Sequence, residues 1–150
     1  MPELGNSIII GGGLAGLATA YWVARQNPTR KVVVLEKGMG CLEWMTKSGQ
    51  GAVVLGKSYS DIDEITYPRG GLEANRSLQK WPGSATREWL SACGLVTEEA
   101  ASGTFTTPDP REFRARFLEL IQETGVEILV NYAVESISMQ PDGGFRIWTK

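Results

Sequence analysis

Glycines follow a short apolar run near the beginning of the chain, where residues 8–16 read IIIGGGLAG. Gly11, Gly13 and Gly16 have the spacing GxGxxG. When such a turn joins a strand to a helix, the first glycine allows the tight turn, the second lets backbone approach a pyrophosphate, and the third lets the helix lie close to the sheet. The helix start also directs N–H groups and a positive dipole end at an anion. The spacing therefore predicts a pyrophosphate-binding turn made by Gly11, Gly12, Gly13, Leu14, Ala15 and Gly16.

An acidic residue, Glu36, ends the next apolar run and lies 20 positions after Gly16. A carboxylate at this place accepts hydrogen bonds from a ribose hydroxyl and repels a 2′-phosphate. Both NAD and FAD satisfy these requirements. The alternative is a glycine-rich turn without a ligand beside a surface glutamate, but the agreement of all the parts favours a bound dinucleotide.

These residues need a strand–helix–strand unit to position them. The sequence predicts a strand over 7–10, a helix over 14–27 ended by Asn27-Pro28, and a strand over 31–37. The second strand is continuously apolar, which is typical of a parallel sheet covered on both faces. The fold class is therefore α/β with a mostly parallel sheet.

The remaining chain predicts further elements and one long loop. Asp109 is an N-cap candidate, because Pro110 and Glu112 follow at the first and third helical positions. Gly125 is expected to end that helix. The other predictions are a mostly loop segment over 38–72 with a short strand at 52–55, helices over 72–80 and 84–93, extended pieces over 96–106, a strand over 126–130, and a hairpin of 132–139 with 145–149.

Composition limits the classes of function. The chain has 150 residues, 42% hydrophobic and 21% charged, with a net charge of −2, which fits one globular domain over 1–150 and favours neither nucleic acid nor an anionic membrane. It has no histidine, which excludes Ser-His-Asp and Cys-His catalysis within the chain. Cys41 and Cys93 lack metal-site spacing, so reduced thiols, a cytoplasmic location and no metal are expected. No signal peptide or membrane span is expected.

Several segments together carry a resemblance to a known family. They read IIIGGGLAGLATA, VVVLEK, ITYPRGG, TFTTPDPREFRARFLELIQETGVEILVNYAVESI and GGFRI. This order resembles the N-terminal portion of the aminoacetone oxidase family of FAD-binding enzymes, which are NAD(P)/FAD-dependent oxidoreductases with two dinucleotide-binding motifs. The resemblance implies a Rossmann-like, three-layer FAD/NAD(P)-binding domain with an added β-hairpin or meander.

The resemblance also implies the cofactor and its contacts. It implies FAD rather than NAD, with Gly11, Gly13 and Gly16 at the pyrophosphate and Glu36 at the adenosine ribose. Lys37 lies beside Glu36 in the matching VLEK. Val134 matches the valine that packs beside the adenine through its backbone, although a core strand valine is an equal interpretation from burial alone.

The chain departs from the family in two places. Residues 48–54 read SGQGAVV, which keeps Ser-Gly-x-Gly but lacks the arginine, cysteine and asparagine typical near the flavin. The substrate-side domain and the returning C-terminal segment are also absent, so we expect a truncated chain with an exposed apolar sheet edge prone to aggregation. The implied function is hydride transfer through the isoalloxazine from a small-molecule substrate, with no catalytic residue assigned. The alternatives are an NAD-binding dehydrogenase module and a catalytically silent dinucleotide-binding protein.

Overall fold

A computed structural model describes residues 7–47, 53–57, 69–99, 104–141 and 143–150. The chain divides into two compact units, one formed by residues 1–47 and 117–150 and the other by residues 48–116. The strands are β1 (Ser7–Ile10), β2 (Val32–Glu36), β3 (Val53–Lys57), β4 (Glu98–Glu99), β5 (Thr104–Thr107), β6 (Glu127–Val130), β7 (Val134–Met139) and β8 (Phe145–Thr149). The helices are α1 (Leu14–Gln26), α2 (Glu43–Lys47), α3 (Gly71–Lys80), α4 (Gly83–Ala92) and α5 (Pro110–Glu123).

The first unit contains the predicted β1–α1–β2 arrangement. Strand β2 lies between β1 and β6 and pairs with both in parallel. Val32, Val33 and Val34 of β2 are buried, which explains why this strand is continuously apolar. Helix α1 packs on β1 and β2 through one face, with Leu17 and Ala20 fully buried. The α/β fold class with parallel pairing is confirmed.

The first unit also contains an antiparallel hairpin of β7 and β8, as the sequence predicted. Gln140 donates its backbone N–H to the carbonyl of Gly144 at 2.7 Å, and Gly143 adopts the left-handed conformation with φ of 85°. Asp142 in the predicted turn lies outside the described residues. Glycine at position 143 suits this backbone because other residues are strained there.

The second unit is built on the antiparallel order β3–β5–β4, with Phe105 buried at its centre. Helices α3 and α4 match the helices predicted over 72–80 and 84–93. Asp109 caps α5 as predicted, because its Oδ1 accepts the backbone N–H groups of Arg111 and Glu112 at 2.9 and 3.0 Å. Helix α5 begins in this unit, and its residues from Phe117 onward belong to the first unit.

One element contradicts the expected loop over 38–72. Helix α2 occupies Glu43–Lys47, directly after the buried residues Cys41 and Leu42. Five residues are too few to show a helical period, and the neighbouring glycines obscured it further. The short strand predicted at 52–55 is observed as β3. Residues 48–52 and 58–68 of the same segment lie outside the described residues. Within the described part of the chain, no helix has the length and apolar character needed to cross a membrane.

Candidate dinucleotide-binding site

The turn between β1 and α1 depends on glycine for two different reasons. Gly11 has φ of 102°, a conformation that favours glycine, and its N–H donates to the carbonyl of Leu35 at 2.8 Å. A Cβ added at Gly16 would lie 2.0 Å from the carbonyl oxygen of Gly11 and 3.5 Å from Cγ2 of Ile9. The third glycine therefore lets α1 pass close to the turn as well as to the first strand.

Gly13, where α1 begins, is not under such a steric constraint. Gly13 is the N-cap residue, with φ of −80° and ψ of 176°, and a Cβ placed there would meet no atom of the described chain within 4 Å. The first hydrogen bond of the helix runs from the N–H of Leu17 to the carbonyl of Gly13 at 3.0 Å. The N–H groups of Leu14, Ala15 and Gly16 precede it and take no part in the helical ladder. The space at Gly13 and these donors fit an anionic phosphate group.

The carboxylate of Glu36 holds backbone on two sides. Its Oε2 accepts the N–H of Gly12 at 2.6 Å, and its Oε1 accepts the N–H of Gly38 at 2.7 Å. Glu36 thus connects the glycine turn to the segment that follows β2. Each carboxylate oxygen has a second lone pair, so the group keeps the capacity to accept hydrogen bonds from the hydroxyls of a sugar.

A cleft of about 180 Å³ opens beside Glu36. The connection between β6 and β7 reaches it because Tyr132 donates its N–H to the carbonyl of Glu36 at 2.9 Å. Asn131 likewise donates to the carbonyl of Gly38 at 2.9 Å and adopts φ of 61°, which asparagine tolerates better than most residues. The lining residues are Ile10, Gly11, Leu35, Glu36, Lys37, Tyr132, Ala133 and Val134.

The structure brings most of the predicted residues together. Gly11, Glu36, Lys37 and Val134 line one cleft, although Val134 is distant in sequence. The other predicted residues, Gly12, Gly13, Leu14, Ala15 and Gly16, form the adjoining turn and the first residues of α1. Lys37 is exposed and Val134 is half-buried, so each combines cleft lining with partial solvent contact.

Sequence reasoning did not predict that Leu42 and Cys41 contact the glycine turn. Leu42 donates its N–H to the carbonyl of Gly12 at 3.2 Å. Cys41 is 2% exposed, and its Sγ lies 2.2 Å from the position of a Cβ added at Gly12. No local sequence pattern predicts these contacts, because they form only when the segment after β2 folds back on the turn. Tyr132 and Ala133 were present only within the segment that carried the resemblance.

A larger cleft of about 980 Å³ lies in the second unit, beside α4 and β4. Two of its charged lining residues, Arg87 and Glu99, form an ion pair with each other, and the third is Glu88. No GxGxxG turn lines this cleft, so the smaller cleft beside Glu36 is the stronger candidate for a dinucleotide. Neither Cys41 nor Cys93 is in a disulfide bond, and the described residues contain no group of three or more His, Cys, Asp or Glu placed to hold a metal.

Comparisons with known proteins agree with this geometry. The model of the FAD dependent oxidoreductase family, DAO, matches residues 7–91. L-2-hydroxyglutarate dehydrogenase of Escherichia coli is 26% identical over 176 residues, covering 91% of this chain and 42% of that protein. The chain thus spans less than half the length of this relative.

Solved structures share the fold at low identity. The 3-ketosteroid-Δ4-(5α)-dehydrogenase of Rhodococcus jostii has a TM-score of 0.66 at 16% identity, covering 97% of this chain and 42% of that chain. THI4 of Thermovibrio ammonificans has a TM-score of 0.61 at 17% identity, covering 95% and 45%. L-α-glycerophosphate oxidase of Mycoplasma pneumoniae, solved with FAD bound, has a TM-score of 0.54 at 19% identity, covering 98% and 50%.

The family model covers more than half of the chain, and it begins at β1 and includes the whole glycine turn, Glu36 and Cys41. The chain therefore belongs to the FAD dependent oxidoreductase family, and FAD is its cofactor.

Proposed function

We propose that the first unit binds the ADP portion of FAD for an oxidoreductase that moves a hydride between a small substrate and the flavin. The observation that carries this proposal is that Gly11 of the glycine turn and Glu36 line one cleft, while the Glu36 carboxylate accepts the N–H of Gly12 in the same turn. The volume of about 180 Å³ is below the roughly 300–1,000 Å³ of pockets that enclose whole drug-sized ligands, which suits one portion of a dinucleotide.

Each residue then has a separate task. Leu14, Ala15 and Gly16 donate backbone N–H groups to the pyrophosphate, and Gly13 leaves room for it. Glu36 accepts a ribose hydroxyl with its remaining lone pairs while it holds Gly12 and Gly38. Val134 and Lys37 line the same cleft, and the backbone of Val134 contacts the adenine. The flavin itself supplies the hydride-accepting chemistry when bound.

The substrate class is proposed from similarity to other proteins. The resemblance to the aminoacetone oxidase family supports oxidation of a C–H bond next to an amine. The 26% identity to L-2-hydroxyglutarate dehydrogenase supports oxidation of a C–H bond next to a hydroxyl. Both are small polar substrates that deliver a hydride to the flavin. No described residue is assigned as the group that accepts the substrate proton.

A direct test compares four ligands by titration calorimetry on the purified chain. We expect FAD and ADP to bind with Kd values within about tenfold of each other, because the proposed site contacts only the ADP portion that both ligands share. FMN, which lacks adenosine, should not bind, and NADPH should bind weakly because its 2′-phosphate meets Glu36. Tight FMN binding, or equal NADPH and FAD binding, would contradict the proposed site.

The substrate class is tested on the FAD-loaded protein without oxygen. Bleaching of the flavin absorbance by L-2-hydroxyglutarate supports the hydroxyl class, and bleaching by aminoacetone supports the amine class. A protein that retains FAD but is bleached by neither compound contradicts both proposed substrate classes and favours the catalytically silent alternative. The Gly13→Ser variant, which should not retain FAD, controls for reduction of free flavin.

A further inference from the structure

Gly12, the middle residue of the three consecutive glycines, is held on three sides by groups outside the turn. Its N–H donates to Oε2 of Glu36 at 2.6 Å, and its carbonyl accepts the N–H of Leu42 at 3.2 Å. The third side is filled by Cys41, whose side chain is buried. The GxGxxG spacing itself leaves the residue at position 12 unspecified, so these contacts identify a requirement that the motif does not contain.

Sterics show why position 12 must be glycine in this chain. An added Cβ would lie 2.2 Å from Sγ of Cys41, 3.1 Å from its Cβ and 3.1 Å from Oε2 of Glu36. The first separation is far below any real contact, whereas the other two need small shifts. The thiol therefore occupies almost the same space that an alanine methyl group at position 12 would take.

The backbone of the supporting segment is itself unusual. Leu42 adopts φ of 55°, which is rare for a residue with a bulky side chain, and it is 2% exposed. Such a conformation persists only where the surroundings determine it. Here it directs the Leu42 N–H at Gly12 and places Cys41 directly against the turn, so the strained residue and the thiol act on the same glycine.

We propose that Cys41 is a positioning residue for the dinucleotide. Its side chain fixes the phosphate-binding turn by filling the space that a Cβ at position 12 would occupy. This inference rests on the proposed function of the turn. Positions 12 and 41 then form a complementary pair. One methyl-sized group must fill the space between them, and either residue can supply it. Cys41 acts through the turn and does not contact the ligand.

The test exchanges the two side chains. Gly12→Ala should raise the Kd for FAD at least tenfold, and Cys41→Ala should raise it severalfold, because one overfills and the other empties the same space. The double variant Gly12→Ala with Cys41→Ala removes the sulfur atom at position 41 and puts a methyl group of similar size in nearly the same space from position 12. It should bind FAD within about threefold of the unchanged chain.

Binding is measured by titration calorimetry at a temperature where circular dichroism shows every variant folded, so that loss of fold does not count as loss of affinity. Gly13→Ser serves as the matched control, because a Cβ at position 13 meets no atom of the described chain within 4 Å, while the added side chain takes up the space proposed for the phosphate. It should keep the fold and lose FAD, and Cys41→Ala should not restore binding to it.

The outcomes separate this inference from the proposed function. Tight FAD binding by the unchanged chain with recovery in the double variant supports both. Tight binding by the unchanged chain with no recovery in the double variant, or with Gly12→Ala binding normally once folded, overturns the role of Cys41 and leaves the proposed function intact. Absence of FAD binding by the unchanged chain overturns the proposed function and this inference with it.

Discussion

The carboxylate of Glu36 has more partners at this site than a ribose contact alone requires. It accepts two backbone N–H groups, from Gly12 and Gly38, and both are at charge-assisted distances. A residue that only recognised a sugar would tolerate an amide, which still carries one acceptor oxygen. A residue that holds two donors at once would not, since the amide nitrogen of glutamine also donates.

Glu36→Gln is therefore expected to lower the free energy of unfolding by about 1–3 kcal/mol, because one of the two partly buried backbone N–H donors then faces an NH₂ group. Urea unfolding measures this change. Glu127→Gln is the matched control: Glu127 pairs with Lys31 at 2.9 Å on the surface, and its loss should cost under about 1 kcal/mol. Equal effects of the two substitutions would show that Glu36 does not hold the turn.

Gly16 is constrained by backbone rather than by a side chain. An added Cβ would lie 2.0 Å from the carbonyl oxygen of Gly11, and a carbonyl in a tight turn has little freedom to move. Alanine gains about 1 kcal/mol in helix propensity over glycine. Overpacking costs about 1–3 kcal/mol, and here it acts against fixed backbone.

We therefore expect Gly16→Ala to lower the melting temperature and to abolish FAD retention. Gly13→Ser isolates the steric cause, since it also alters a glycine of the motif but meets open space. Its hydroxyl is a better N-cap than glycine, so its melting temperature should be unchanged or slightly raised. A stable Gly16→Ala variant that retains FAD would contradict the packing argument.

At the scale of elements, the sequence predicted Asp109 as the N-cap of helix α5, and the structure confirms it. Asp109→Ala removes the acceptor for two N–H groups at the first turn and should destabilise the chain by about 1 kcal/mol. Asp109→Asn keeps an acceptor oxygen and should cost less than half as much. Urea unfolding followed by far-ultraviolet circular dichroism compares them. An equal loss for asparagine and alanine would show that the negative charge of Asp109, and not its cap hydrogen bonds, stabilises the start of the helix.

The elements that could be predicted from the sequence are those specified by residues close together along the chain. Asp109 before Pro110 specifies a helix start, Gly125 at φ of 79° specifies its end, and the three valines of β2 specify a strand covered on both faces. Helix α2 was missed because five residues carry no measurable period. The glycine turn and Glu36 were found because their spacing is local, whereas the contact of Cys41 with Gly12 depends on a fold-back that spacing does not encode.

At the scale of the whole molecule, the hairpin of β7 and β8 leaves apolar side chains in solvent. Met139 and Phe145 are directly paired and are 74% and 69% exposed, and Ile137 on the same face is 51% exposed. The opposite face carries Ser138 paired with Arg146 and Ser136 paired with Trp148, whose ring lies 6.0 Å from the Arg146 guanidinium. One face of the hairpin is thus apolar and accessible in the chain as it stands, and contiguous patches of this kind promote association.

Charging this face should raise the solubility of the 150-residue chain. The double variant Met139→Lys with Phe145→Glu replaces an apolar cross-strand pair by an opposite-charge pair, which keeps a favourable contact across the hairpin. Light scattering should show less association for it at the same concentration. The control, Ser136→Lys with Ser138→Glu, adds one charge of each sign to the opposite face, leaves the net charge unchanged and should leave scattering unchanged. If both variants lower scattering equally, the gain comes from added charge in general, and the apolar face of the hairpin is not what drives association.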